Sequence, residues 1–165
     1  MREKEIKARS KAAVKNRRNP PAAVEEVLAP PPRQSELEAV RGEIEEAQIR
    51  FLVAQFVDIH GAAKVKMVPA SELDNIVNVG AGFAGAAVWG MGQGAHSHDL
   101  MGRADLASYT PLPWRPEVAR FACDIYVDEK PHPYCSRVNL RGVLRDLRRE
   151  GYVFNCGMEP EHFLV

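Results

Sequence analysis

The stretch RFLVAQFVDIHGAAKVKMVP, residues 50–69, limits the possible folds of this chain more than any other. Residues 51–58 are rich in β-branched and aromatic side chains, residues 64–68 alternate in polarity, and Gly61 lies between them. Two such runs joined by a few residues pair as an antiparallel hairpin. Alternate residues of a strand face opposite ways, so Lys64 and Lys66 share one side and Val65 and Met67 the other. That predicts a second strand half buried on its apolar side. Asp58 and His60 fall at the connection, where short polar side chains favour turn geometry over a catalytic use.

The flanking elements follow from capping and periodicity. SELEAVRGEIEEAQIR opens with Ser35 and Glu38 in capping-box spacing, and Leu37, Val40, Ile44 and Ala47 recur at helical intervals. PASELDNIVNVG predicts a short helix capped by Ser71 and closed by Gly80. Residues 80–99 carry six glycines and read as a long loop, a kind that in a compact domain is usually functional. ADLASYTPLPW and VARFACDIYVD are strand candidates, with Pro111 and Pro113 pushing the first to an edge. The last helix is capped by Ser136 and ended by Gly151, with Leu140, Val143, Leu144 and Leu147 as its apolar stripe. Arg137, Arg141, Arg145, Arg148 and Arg149 form its expected solvated side, and YVFNCGMEPEHFLV follows as strand material. The order α-β-β-α-β-β-α-β implies an α+β domain with a mostly antiparallel sheet and helices packed on one face.

Residues 1–34 stand apart. They combine a Lys/Arg-dense start with Pro20, Pro21, Pro30, Pro31 and Pro32, which cannot continue a helix or a central strand. They read as a flexible extension. No aromatic residues interleave with the basic ones to stack on bases, so nucleic acid is not an expected partner. The formal net charge of zero supplies no overall field for nucleic acid or membrane. No apolar run approaches the roughly 20 residues of a membrane span. Cys123, Cys135 and Cys156 are odd in number and lack a CxxC pair, which points to a reducing, cytoplasmic setting.

Two acidic constellations bear on chemistry. Glu159 and Glu161 lie at i and i+2 and in a strand would share a face about 6.6 Å apart. Unpaired, the two charges repel, so a cation is expected beside them. Oxygen ligands of this kind suit magnesium or manganese; two solvated glutamates, or pairs with nearby arginines, are the plainer alternative. His96, His98 and Asp99 contain zinc-type ligands but lack a distant partner at the usual spacing, so a polar loop is the expected reading.

The motifs together resemble the glutamine synthetase family. MEPEHFLV after an Arg-rich helix resembles that family's first metal-binding strand, and RFLVAQFVDIHGAAKVKMVPASEL its opening hairpin and helix. GAGFAGAAVWG sits where the family carries a Phe-Asp-Gly-Ser-Ser loop, and RFACDIY matches the strand before the helix. The resemblance spans residues 36–165 in consistent order. It implies a β-grasp domain over residues 35–157, with residues 158–165 as the first strand of a larger catalytic domain that the chain does not contain. It further implies ATP and glutamate as substrates, with γ-glutamyl phosphate formed and then displaced by ammonia or methylamine. Two divalent ions, Mg2+ or Mn2+, would assist, Glu159 serving the nucleotide-side metal and Glu161 the glutamate-side metal. Homo-oligomeric rings are implied for the full-length protein.

One departure bears on the nucleophile. The loop aspartate of glutamine synthetases, which helps bind ammonium, is replaced here by Ala84. A carboxylate attracts a small cation and alanine does not. The run as a whole most resembles the γ-glutamylmethylamide synthetases (glutamate–methylamine ligases), and an apolar pocket at Ala84 and Ala86 would suit an alkylamine. The expectation is a truncated ligase, inactive as the chain stands. The alternative is a non-catalytic β-grasp module that caps or regulates a full-length ligase ring.

Overall fold

A computed structural model describes residues 34–164. The extension assigned to residues 1–34 lies almost wholly outside the described residues. Among the described residues there are three α-helices: α1 (Gln34–Glu46), α2 (Leu73–Asn78) and α3 (Ser136–Arg149). Seven strands form one sheet: β1 (Phe51–Val57), β2 (Ala63–Pro69), β3 (Ala81–Phe83), β4 (Leu100–Ala104), β5 (Thr110–Leu112), β6 (Arg115–Val127) and β7 (Lys130–Pro131).

The main strand order is β2-β1-β6-β4-β3, with β5 and β7 also pairing β6. The expected hairpin is β1–β2, in register from Phe51 opposite Pro69 to Val57 opposite Ala63. Every described pairing is antiparallel except β1 with β6, where Leu52 lies beside Ala119 and Ala54 beside Phe121. The two ends of the strand order approach each other. Lys66 on β2 donates to the Gly82 carbonyl on β3 at 2.8 Å, and the Phe56 and Phe83 rings meet edge-on at 5.0 Å. The sheet therefore curls towards a barrel around its inward side chains. β5 is a short strand with a register shift at Pro111, as expected where prolines withhold ladder donors.

One core cluster joins Leu37, Val40 and Ile44 of α1 and Leu73, Ile76 and Val77 of α2 to Leu52, Ala54, Ala119, Phe121 and Cys123 of the sheet. Each fully buried large apolar side chain here contributes about 1.5–3 kcal/mol. A second cluster joins Phe56, Leu100 and Ile125 of the sheet to Met91 of the glycine-rich loop, to Cys135 and to Val138 of α3.

Several sequence expectations are corrected. Val65 and Met67 are 57% and 52% exposed, because β2 stands at one end of the strand order with β1 as its ladder partner among the described residues. Ser35 lies inside α1, where Gln34 Nε2 donates to Glu38. Ser71 belongs to a 3-10 turn, Ala70–Glu72, that precedes α2, and no side chain caps α2. Ser136 is the first residue of α3 rather than its cap, and its hydroxyl donates to the Val57 carbonyl. Gly80 and Gly151 do end their helices, at φ +108° and +85°.

α3 turns part of its apolar stripe outward, while Leu144 and Leu147 stay half-buried. Leu140 and Val143 are 56% and 57% exposed, and among its residues Val138 is the buried one. Arg137 and Arg141, one helical turn apart, each bridge Asp105 and Asp124 at 2.5–2.9 Å. Both acids are mostly buried, and a buried carboxylate without a partner is far more unfavourable than an exposed leucine. That balance sets the helix orientation. Residues 152–164 form no strand and are exposed, because no described strand pairs with them to satisfy their backbone groups.

Candidate functional site

β3 ends at Phe83 and delivers Ala84 to the head of a 3-10 turn, Gly85–Ala87, closed by Ala87 N–H donating to the Ala84 carbonyl at 3.0 Å. Gly85 is buried, and a Cβ on it would lie 2.8 Å from Gln93 Cγ and 3.0 Å from Leu100 Cγ, so the turn seats only with glycine there. Ala84 and Ala86 are both exposed. The described residues alone therefore present an open apolar surface at these positions, not an enclosed pocket.

The loop is tied to the hairpin tip. Trp89 stacks on His60 with ring centroids 4.6 Å apart and an interplanar angle of 26°. Asp58 organises that tip: its Oδ1 accepts from the backbone N–H of His60 and Ala62, both at 2.9 Å, and Lys64 Nζ lies 3.2 Å from Oδ2. The Ala62 N–H, with help from Lys64 and the His60 N–H, holds this carboxyl below the usual range although burial opposes it. The turn reading of Asp58 and His60 is the one the structure bears out. The loop is also tied to the segment before α3. His132, buried and overlooked in the sequence, places Nε2 2.6 Å from the carbonyl of Met91.

His96, His98 and Asp99 do not converge on a metal. His98 pairs with Asp128, whose hydrogen bond raises the imidazole pKa, and no group of three or more His, Cys, Asp or Glu side chains gathers among the described residues. Glu159 and Glu161 lie on the exposed segment 152–164, away from any strand. Their carboxylates are chemically suited to a magnesium-sized ion, but two ligands do not fill its octahedron. Further ligands would have to come from outside the described residues. The structure does not bring the glutamates into a site with Ala84 and Ala86. A cleft of about 800 Å3 lined by Arg41, Arg50, Ser71, Leu73 and Glu117, among others, contains none of these four residues.

The Asp105–Asp124–Arg137–Arg141 cluster was also missed. An acid inside the apolar run RFACDIY was the available signal, since such a residue needs a cationic partner.

Residues 48–128 match the glutamine synthetase β-grasp domain family. The chain carries a glutamine synthetase β-grasp domain. It is 45% identical over 123 residues to the glutamate–methylamine ligase of Methyloversatilis universalis, covering 74% of this chain and 28% of that one. It is 35% identical over 117 residues to a glutamine synthetase of Rhizobium leguminosarum bv. phaseoli, covering 71% of this chain and 27% of the relative. The GmaS/ADP complex superposes with a TM-score of 0.64 at 32% identity over 67% of this chain and 25% of that structure. The chain thus spans about a quarter of the length of these relatives. Within the β-grasp domain, the expected mostly antiparallel α+β architecture is the one observed. Among the described residues no helix is long and apolar enough to cross a membrane.

Proposed function

We propose that this β-grasp domain works as the N-terminal part of an ATP-dependent glutamate–amine ligase whose nucleophile is a small alkylamine such as methylamine. The observation that carries the reading is the 45% identity to a glutamate–methylamine ligase, combined with Ala84 and Ala86 at the turn that follows β3. Neither side chain can hold a small cation by charge, whereas both tolerate a methyl group beside them. Glu159 and Glu161 would hold a divalent ion together with ligands from outside the described residues. Such an ion neutralises charge as a phosphoryl group is transferred. In the working ligase this domain would contribute one wall of a site shared within a homo-oligomeric ring, in the cytoplasm, and would be inactive by itself.

The test is enzymatic. The complete reading frame that contains residues 1–165 is expressed, and ATP-dependent amide formation is compared for methylamine and ammonia. Faster γ-glutamylmethylamide formation is the expected result; faster glutamine formation overturns the choice of amine. In the same protein, Glu159→Gln and Glu161→Gln should each weaken the dependence on Mg2+ or Mn2+. Unchanged metal dependence in both variants would remove the glutamates from the site.

A further inference from the structure

Loop residues 88–92 are fixed from three sides. From below, Met91 is 1% exposed and packs in the second core cluster beside Phe56, Leu100 and Val138. From the hairpin, Ile59 lies over Gly90: a Cβ there would come within 2.2 Å of Ile59 Cδ1, and φ is +82°. From the segment before α3, Tyr134 lies over Gly92, where a Cβ would come within 2.7 Å of its ring and φ is +64°. These contacts are apolar and set only shape. The Met91 carbonyl is polar, and its partner is His132.

A carbonyl oxygen only accepts, so Nε2 of His132 carries the proton in this contact. The imidazole is itself positioned by backbone bonds: His132 N–H donates to Ile125 at 2.7 Å and its carbonyl accepts from Cys135 at 3.0 Å. At the other end of the loop, Lys66 donates to Gly82, but that pair is exposed and competes with water. The buried contact is therefore the one whose loss leaves a carbonyl without a substitute partner.

We propose that His132 is a positioning residue that clamps the glycine-rich loop through the Met91 carbonyl, fixing the turn that carries Ala84 and Ala86 relative to α3. The clamp makes the loop and the segment leading into α3 one mechanical unit. Its value for amine choice rests on the reading of Ala84 and Ala86 given above; its existence does not.

The experiment is amide hydrogen exchange on the 165-residue chain, comparing H132L, which fills the space without a donor, with H132Q, which keeps one. Amides of residues 88–93 should exchange roughly 5- to 150-fold faster in H132L. Those of β1 and β6 should be unchanged, and H132Q should restore most of the protection. Equal exchange in the two variants, whether both protected or both loosened, would overturn the clamp. Should H132L fail to fold, H132Q against H132N makes the same comparison, because the shorter amide cannot reach the carbonyl. The amine reading is judged separately, by the comparison of methylamine with ammonia in the complete reading frame: faster γ-glutamylmethylamide formation supports it, and faster glutamine formation overturns it and leaves the clamp to be judged by exchange alone.

Discussion

Asp58 concentrates three interactions in one side chain, and its behaviour with pH follows from them. Because the folded state holds this carboxyl below its ordinary value, Asp58 stabilises the fold above the unfolded pKa of about 3.9. That stabilisation disappears as pH falls through the lower native value. Asp58→Ala should accordingly lower the urea midpoint at pH 7, and the gap to wild type should narrow as the solution is acidified below about pH 4. A gap independent of pH would mean that the carboxylate charge is not what organises the turn. The role of Asp58 was legible from its place beside Gly61. His132 was not, because nothing near it in sequence reveals that a carbonyl 41 positions away needs a donor. Gly90 lies between these cases: its identity marked a loop, but only the Ile59 contact shows why a side chain is excluded. Gly90→Ala should destabilise the chain by about 1–3 kcal/mol, read as a shift of the chemical denaturation midpoint.

α3 teaches the limits of periodicity. Leu140, Val143, Leu144 and Leu147 have the spacing of a buried stripe, and a single helix offers no sign that Leu140 and Val143 are left outside while Arg137 and Arg141 are drawn in. The decision is made across the fold by Asp105 after β4 and Asp124 in β6, which need the cations of Arg137 and Arg141. Asp124→Ala should destabilise by about 3 kcal/mol, since it leaves two arginines partly buried against a lost partner. Replacing Asp124, Asp105, Arg137 and Arg141 together with apolar residues should recover much of that loss, measured by urea unfolding of the full set of variants. The hairpin, by contrast, was readable, because its partner strands are neighbours in sequence and Gly61 marks the joint. The strand expected from YVFNCGMEPEHFLV was not realised because strand propensity describes a segment, whereas a strand is a property of a pair.

At the scale of the molecule, each of the two core clusters shields one cysteine. Cys123 and Cys135 are buried, and burial pushes the Cys123 thiol up to about 12, while Cys156 is exposed. A maleimide should thus label native chain at Cys156 alone at pH 7, and all three thiols after denaturation, with mass spectrometry as the readout. Labelling of Cys123 under native conditions would show that the sheet opens far more often than its packing allows. The α+β class and the antiparallel character were legible from local patterns, while the closing of β2 towards β3 through Lys66 and Phe83 was not, since it joins strands that are not paired to each other.

The parallel partnership of β1 with β6 also has a consequence in time. Leu52 and Ala54 lie more than sixty positions ahead of Ala119 and Phe121, the residues that cover their flank. On a ribosome elongating at about 5–20 residues per second, the first strand would wait for roughly 3–13 seconds, paired only with β2, before its central neighbour exists. The nascent polypeptide thus passes through a lone hairpin with an apolar margin open to chaperones, and slowing translation between the two strands should raise the share that aggregates.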